Sequence, residues 1–269
     1  MNRIYSLLFT LLTATVIACS GTIAYAAPTL TEAADSAYLT DHYKEAAALY
    51  TAAIDSLGPS SDLYYNLGNT MFRLGKPGQA ILAYERALRL DPTNSDARTN
   101  LEFVNSRIID RPGERGSLVG NMLDNGATAL HSNTWAWIAF GGFILFLCAM
   151  GAYLFGSAVI IRKTGFFGGF IVLLFAIIAA FLSARGAAIA TSDAEAIITA
   201  QSTILSTSPR RPVNRSQEAM LLHEGTRVII RDSVTSRADS VPVKWYDVAV
   251  DNTHSAWINA ADVERIHMK

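Results

Sequence analysis

Three kinds of hydrophobic pattern follow one another along the 269 residues of the chain. Up to about residue 110, apolar residues recur at helical spacing, which predicts amphipathic helices. Two long apolar runs come next, 135–161 and 165–187, and each suffices for a helix across a bilayer core of about 30 Å. From residue 193 onward, apolar and polar residues alternate, which predicts short β-strands. We therefore expect a multidomain protein: an α-helical solenoid, a two-helix transmembrane hairpin and a C-terminal small all-β barrel.

Residues 1–26 have the features of a secretory signal peptide. Arg3 stands before an apolar stretch, and the small-residue pattern Ala24-Tyr25-Ala26 ends the segment. Cleavage after Ala26 would leave a mature chain outside the cytoplasm. The alternative is a lipoprotein signal, in which Cys19 carries a diacylglycerol.

The two apolar runs are separated by Arg162, Lys163 and Thr164 alone. Two cations in so short a loop indicate that residues 162–164 face the cytoplasm. Both flanking domains are then expected on the periplasmic side of the inner (cytoplasmic) membrane, which agrees with a signal peptide. Gly165 and Gly169 have a spacing that allows close helix packing, either within the hairpin or against another membrane protein.

A period of 34 residues runs through the helical part, since Ala46, Tyr50 and Ala53 recur as Ala80, Tyr84 and Ala87. This is the period of tetratricopeptide repeats, and residues 61–94 resemble one clear copy. Its motif residues are Tyr64, Leu67, Gly68, Ala80, Tyr84, Ala87 and Pro92. The copy upstream is degenerate, and residues 95–109 predict a capping helix, so the repeat module is expected to occupy 27–110.

Repeat stacks of this type bind extended peptides in the groove lined by their first helices. In the clear copy that face carries Tyr65, Asn69, Phe72 and Arg73. Asn69 and Arg73 project together, which suits a peptide backbone and a neighbouring carboxylate. The alternative is that Arg73 is a solvated charge and Asn69 satisfies local backbone groups.

The remaining segments are a linker and the β-domain. Residues 111–134 are rich in Gly, Asn and Ser, with a short apolar pattern from Leu118 to Leu123, and indicate a juxtamembrane linker that could rest on the bilayer. Residues 193–269 resemble a bacterial SH3-like domain, a family that often binds cell-wall peptides. Trp245, Tyr246 and Trp257 could line such a ligand groove, although aromatic residues in a small barrel more often form its core.

Composition narrows the function. The hydrophobic content of 51% and the mean hydropathy of +0.24 agree with membrane segments, and a net charge of −1 provides no field that would attract nucleic acid. The five histidines are scattered and lack metal-binding spacing, and the exported domains would contain no cysteine to complete a zinc site. A nucleophile elbow and a phosphate-binding loop are missing from the sequence. We expect no cofactor, no metal and no catalytic residue.

The order of the segments resembles the BatE-like membrane proteins of the Bacteroides aerotolerance operon family. The motifs that carry the resemblance are Asn66-Leu67-Gly68-Asn69, Arg86–Pro92 and Trp135-Ala136-Trp137. The resemblance implies two kinds of partner, membrane-anchored von Willebrand A-domain proteins and a MoxR-type AAA+ ATPase, in an envelope complex that supports aerotolerance or oxidative-stress resistance. The expected function is a non-enzymatic, membrane-anchored adaptor for protein–protein interactions. The alternative is a protein that senses or binds peptidoglycan through the SH3-like domain.

Overall fold

The computed structural model describes residues 29–110, 116–236 and 242–267, so the expected signal peptide and Cys19 lie outside the described residues. The helices of the described ranges are α1 (Leu30–Leu39), α2 (Tyr43–Leu57), α3 (Ser61–Arg73), α4 (Pro77–Leu90), α5 (Ser95–Asn105), α6 (Leu118–Ala127), α7 (Ser132–Phe155) and α8 (Val159–Ala190). The strands are β1 (Glu195–Ile198), β2 (Ser202–Ser206), β3 (Glu218–His223), β4 (Arg227–Ser236), β5 (Val243–Ala249), β6 (Ser255–Asn259) and β7 (Val263–Arg265). Short 3₁₀ helices at Arg215–Gln217 and Ala260–Asp262 precede β3 and β7.

Polar caps and turn residues fix where the helices of the repeat region begin. Ser60 and Asn94, separated by one repeat period, each accept a hydrogen bond from a backbone N–H in the first turn of α3 and α5. Pro77 occupies the start of α4, where its missing N–H has no helical partner to lose. The turn before it requires Gly75, whose φ is 71°. The helix boundaries therefore follow the 34-residue period of the sequence.

The same period recurs in the hydrogen bonds between helices. The Tyr50 hydroxyl donates to Asp35 at 2.5 Å in the first helix pair, and the Tyr84 hydroxyl donates to Asn69 at 2.7 Å in the second. In both pairs the two residues are 15 positions apart, so donor and acceptor repeat together. The degenerate first copy thus has the same internal architecture as the clear one.

Helices α7 and α8 pack against each other, and both are long and apolar enough to cross a membrane. The turn between them lies at residues 156–158 rather than at 162–164, so Arg162 and Lys163 are in the first turns of α8. Gly156 ends α7, and α8 begins at Val159, three residues before Arg162. Gly165 lies against α7 so closely that a Cβ atom there would be 2.6 Å from the Ala149 carbonyl oxygen, which places this small residue inside the hairpin.

The C-terminal part is a seven-stranded antiparallel sheet with the order β3-β2-β6-β5-β4-β1-β7. The chain enters the sheet through two short strands, because residues 199–201 turn it between β1 and β2. The register of β4 shifts between Ile230 and Asp232, which bends this long strand as it passes from β1 to β5. Alternate residues of the strands meet in one buried cluster that includes Ile198, Leu205, Val228, Val248 and Ile258.

The helical repeat packs directly onto this sheet. Ile81 of α4, Ile197 of β1 and Ile266 are all buried and belong to one apolar cluster. The two parts therefore share a core, in which the sheet contacts the second helix of the clear repeat, α4.

Candidate functional site

The four residues predicted to line a peptide groove lie on one face of α3. Tyr65, Asn69 and Phe72 are partly buried, whereas Arg73 is exposed at the end of the helix. The side-chain oxygen of Asn69 accepts hydrogen bonds from the Tyr84 hydroxyl at 2.7 Å and from the Asn100 amide at 2.8 Å. Asn69 therefore connects α3 to α4 and α5, a structural contact that neither sequence-based interpretation, peptide binding or satisfaction of local backbone groups, includes.

Arg73 is held in place by neighbours from the first repeat. Its guanidinium lies 3.3 Å from the Asp41 carboxylate and 4.5 Å from the centre of the Tyr43 ring. About 50% of the side chain remains exposed. The charge is thus positioned but still open to solvent and to a ligand.

A second arginine, Arg107, occurs 34 residues after Arg73 and was missed by sequence reasoning. Its guanidinium lies 3.9 Å from the centre of the Phe103 ring, and Phe103 in turn packs edge-on against Phe72 at 5.7 Å. Extending the repeat period by one copy beyond Arg73 would have identified it. Two arginines at equivalent repeat positions, each stacked on an aromatic ring, therefore occupy the first-helix side of the repeats.

The seven motif residues of the clear repeat lie where two helices meet. Tyr64, Gly68, Ala80, Tyr84 and Ala87 are buried, Leu67 packs against the same cluster, and Pro92 follows the end of α4. A Cβ atom on Gly68 would come within 2.6 Å of the Tyr84 ring, so this contact needs glycine. Burial also raises the pKa of the Tyr84 hydroxyl well above its ordinary value.

The opposite face of the repeat is closed by the sheet through arginines of α4. Arg86 donates to the Glu264 carboxylate at 2.7 Å and to the Arg265 carbonyl oxygen at 2.9 Å. Arg89 donates to the carbonyl oxygens of Ile189 at 2.9 Å and Ser192 at 2.8 Å and also pairs with Glu195. Ile189 is in the last turn of α8, where its carbonyl oxygen also accepts from the Ser192 N–H at 3.2 Å, so Arg89 adds a charged donor to the end of this helix.

Arg89 connects three parts of the protein, namely the repeat, the second apolar helix and the first strand. Arg227 extends this network, since it pairs with Glu85 of α4 and with Glu195 of β1. A further contact joins the repeat to the first apolar helix, where His131 lies 3.4 Å from Asp91. The helical repeat is thus anchored to the sheet and to both apolar helices.

Asp110, at the end of the repeat region, binds the turn between β3 and β4. It accepts hydrogen bonds from the His223 backbone N–H at 2.5 Å, the His223 ring at 2.8 Å and the Thr226 hydroxyl at 2.7 Å. Burial alone would raise the pKa of Asp110, but these hydrogen bonds outweigh it and hold the pKa below its ordinary value. The carboxylate therefore fastens the repeat to the sheet in its ionised form.

The three aromatic candidates of the sheet are not brought together on one surface. Trp245 is buried. Trp257 is paired opposite Asp247, so it shares a face with Trp245, whereas Tyr246 is paired with Ile258 on the other face. Tyr246 stays partly exposed, with Lys244 and Arg265 each 5.2 Å from its ring centre. Across the described ranges, no group of three or more His, Cys, Asp or Glu side chains could hold a metal ion.

Comparison with known proteins identifies the repeat. The family model described as "Tetratricopeptide repeat" matches residues 61–94, which cover α3, α4 and the turn that follows. This confirms the tetratricopeptide interpretation of the segment and suggests a role in protein–protein interaction. The search among curated proteins finds no match to the chain.

Proposed function

We propose that this protein is a non-enzymatic, membrane-anchored adaptor that captures an extended, carboxylate-bearing segment of a partner protein in the groove of its repeats. The observation that carries the proposal is the pair Arg73 and Arg107, at equivalent repeat positions on the open side of the helices. The opposite side is occupied by the sheet, so the groove side is the one left for a partner.

The stacking of both arginines favours capture of a carboxylate. A guanidinium that rests on an aromatic ring keeps its donor groups free at the edge, and it loses less conformational freedom when a ligand binds. Phe72 and Phe103 provide an apolar floor between the two charges, and Phe103 is 45% exposed. Tyr65 and Asn69 complete the proposed peptide-binding face, with Asn69 acting through the shape of the groove.

We further propose that α7 and α8 span the inner membrane and that both flanking domains lie on its periplasmic side. The shared core of Ile81, Ile197 and Ile266 supports a common compartment, because a bilayer between repeat and sheet would prevent this contact. Arg162 and Lys163 at the turn end of the hairpin support a cytoplasmic position for that end.

Topology can be tested with an impermeant thiol reagent in intact cells, using single cysteines in a background with Cys19 and Cys148 replaced by Ser. Thr99→Cys in the repeat and Thr253→Cys in the sheet should react, whereas Ser157→Cys in the hairpin turn should react only after permeabilisation. Labelling of positions 99 and 253 from different sides of the membrane would refute the proposed arrangement.

The proposal also covers the family of the sheet domain and the complex in which the protein acts. The sheet is proposed to be an SH3-like domain, supported by its short antiparallel strands around one core and by the 3₁₀ helix before its last strand. The order of the modules supports a BatE-like role, with von Willebrand A-domain proteins and a MoxR-type ATPase as partners in an envelope complex linked to aerotolerance.

Photo-crosslinking in intact membranes tests the adaptor function. A photoreactive residue at Thr99, one repeat period after Tyr65, should capture a partner that mass spectrometry identifies. The double variant Arg73→Ala/Arg107→Ala should reduce capture at least tenfold, whereas Arg98→Ala, an exposed arginine of α5, should leave it unchanged. Undiminished capture by the double variant at equal protein levels would remove the basis of the groove.

A peptidoglycan-binding role is the second candidate, and the partly exposed Tyr246 ring between two cations favours it. The purified full-length protein in detergent should then sediment with peptidoglycan, and Tyr246→Ala should abolish this. Absence of sedimentation would eliminate the second candidate and leave the groove as the binding site.

A further inference from the structure

Helix α6, between the repeat and the hairpin, exposes an apolar stripe. Leu118, Val119 and Met122 are 77%, 67% and 74% exposed, and Leu123 lies beside them. These positions share one side of a helix of 10 residues. Exposure of so many large apolar side chains on one short helix points to a surface that is covered in the functional protein.

The other side of α6 is attached to α8. Asp124 accepts two hydrogen bonds from Arg185, at 2.6 Å from Nε and 3.2 Å from Nη2. Ala127 is buried where α6 meets Gly186, and a Cβ atom on that glycine would lie 3.0 Å from the Ala127 carbonyl oxygen. The apolar stripe is therefore directed away from the hairpin, on the side of α6 roughly opposite Asp124.

The attachment occurs at the level where a bilayer would end. From Lys163 to Arg185 the helix rises through 22 residues without another charge, which corresponds to about 33 Å and matches a hydrocarbon core of about 30 Å. Ser183 donates to the Ser132 carbonyl oxygen at 2.8 Å, so α7 begins at this same level. Trp135 and Trp137, in the first turns of α7, have the side chains that concentrate at membrane interfaces.

The start of α6 is also fixed to the sheet. Gly116 and Asn252 exchange two hydrogen bonds of 2.9 Å, which connect the segment before α6 to the turn between β5 and β6. The helix thus bridges the sheet and the hairpin at the end of α8.

We infer that α6 is a third membrane element, which lies in the plane of the interface and buries its apolar stripe among the lipid acyl chains of the leaflet nearest the folded domains. The inference rests on the proposed position of the hairpin. Residues 118–127 contain no basic side chain, and their one carboxylate pairs with Arg185, so binding depends on apolar burial and not on anionic lipid.

Spin-label accessibility in phosphatidylcholine vesicles tests the inference on the full-length protein. Met122→Cys carries a label on the stripe, and Asn121→Cys carries one on the polar side as a matched control, both with Cys19 and Cys148 replaced by Ser. The label at 122 should be accessible to oxygen and at least fivefold less accessible than that at 121 to a water-soluble nickel chelate. Adding phosphatidylglycerol should not change this result.

The native Cys148, labelled in a separate sample, reports whether the hairpin is in the membrane. Protection of Cys148 from nickel together with equal nickel access at 121 and 122 would overturn the inference while leaving the hairpin in place. An immobile label at 122 that neither reagent reaches would show that protein covers the stripe, which also overturns it. Nickel access at Cys148 would instead refute the membrane position of the hairpin, and the inference would fall with it.

Discussion

Two pairs of arginines on the same stack of helices have opposite surroundings. Arg73 and Arg107 rest on aromatic rings at the groove, and the Arg73 side chain is 50% exposed. Arg86 and Arg89 face the sheet, and the Arg89 side chain is only 7% exposed. The groove pair contacts few fixed acceptors, whereas the pair at the sheet is bonded to carboxylates and carbonyl oxygens of other elements.

The difference in exposure between the two pairs of arginines determines how much each ion pair contributes to stability. An exposed ion pair contributes about 0–1 kcal/mol, because water and salt screen it and the side chains lose entropy. Loss of one partner from a buried, hydrogen-bonded pair costs about 3–5 kcal/mol, since the remaining groups stay buried without partners. In the proposed function, the groove arginines exchange their exposed contacts for those of a ligand, whereas Arg86 and Arg89 maintain the arrangement of the repeat and the sheet.

Arg89→Ala should produce the largest effect, because Glu195 and the carbonyl oxygens of Ile189 and Ser192 would each lose a charged donor in a buried setting. We expect a loss of about 3 kcal/mol in the free energy of unfolding. Urea titration of the purified protein in detergent, followed by tryptophan fluorescence, measures it. Arg98→Ala is the control, and equal stability of the two variants would contradict the distinction between the two arginine pairs.

Gly68→Ala should have the next largest effect, because its new methyl group would collide with the Tyr84 ring. We expect about 1–3 kcal/mol of destabilisation from overpacking, measured by the same titration. Gly168→Ala is a matched helical control with open space around it and should cost nothing. If Gly68→Ala unfolds like the parent protein, the close contact between the helices of the clear repeat is incorrect.

Asp110→Asn tests the polar fastening between the repeat and the sheet and should cost about 1 kcal/mol at neutral pH. The folded pKa of Asp110 lies below its unfolded value of about 3.9, so the parent protein has this stabilisation above that pH and loses it as the pH falls through the folded pKa. The variant should lack this component of acid sensitivity. Identical unfolding profiles of both proteins between neutral and acidic pH would argue against the contact.

Arg73→Ala should have the smallest effect on folding, at most about 1 kcal/mol, because its pair with Asp41 is exposed. Its effect on partner capture should be much larger. If Arg73→Ala lowered the free energy of unfolding as much as Arg89→Ala does, the two pairs of arginines would not differ in their structural roles.

Much of the fold was predictable because it depends on local periodicity. The recurrence of Tyr50 as Tyr84 located the repeats, the uncharged runs located both apolar helices, and alternation in the C-terminal part predicted the strands. The cations Arg162 and Lys163 predict a turn at 162–164, six residues beyond its position, because a helix accommodates both side chains in its first turns.

The candidate site was predicted less completely than the fold. The face containing Arg73 followed from the repeat, and Arg107 could have been found from the same period. The contacts of Arg89 could not have been found from the sequence. Its acceptors Ile189 and Ser192 are 100 and 103 residues away, and they accept through backbone oxygens that every residue possesses. Nor does alternation indicate how completely each face of β5 is covered, so it could not show that Trp245 is buried while Tyr246, which packs against the core cluster, stays partly exposed.

The passage from α8 to β1 comprises only residues 191–194, and Arg89 holds both of its ends. A connection of four residues that is fixed at both ends cannot lengthen or bend freely. A rotation of α8 is therefore transmitted to the sheet. Rotation of the apolar hairpin would therefore turn the repeat and the sheet together, and with the hairpin in its proposed membrane position a segment bound in the proposed groove would change orientation with it.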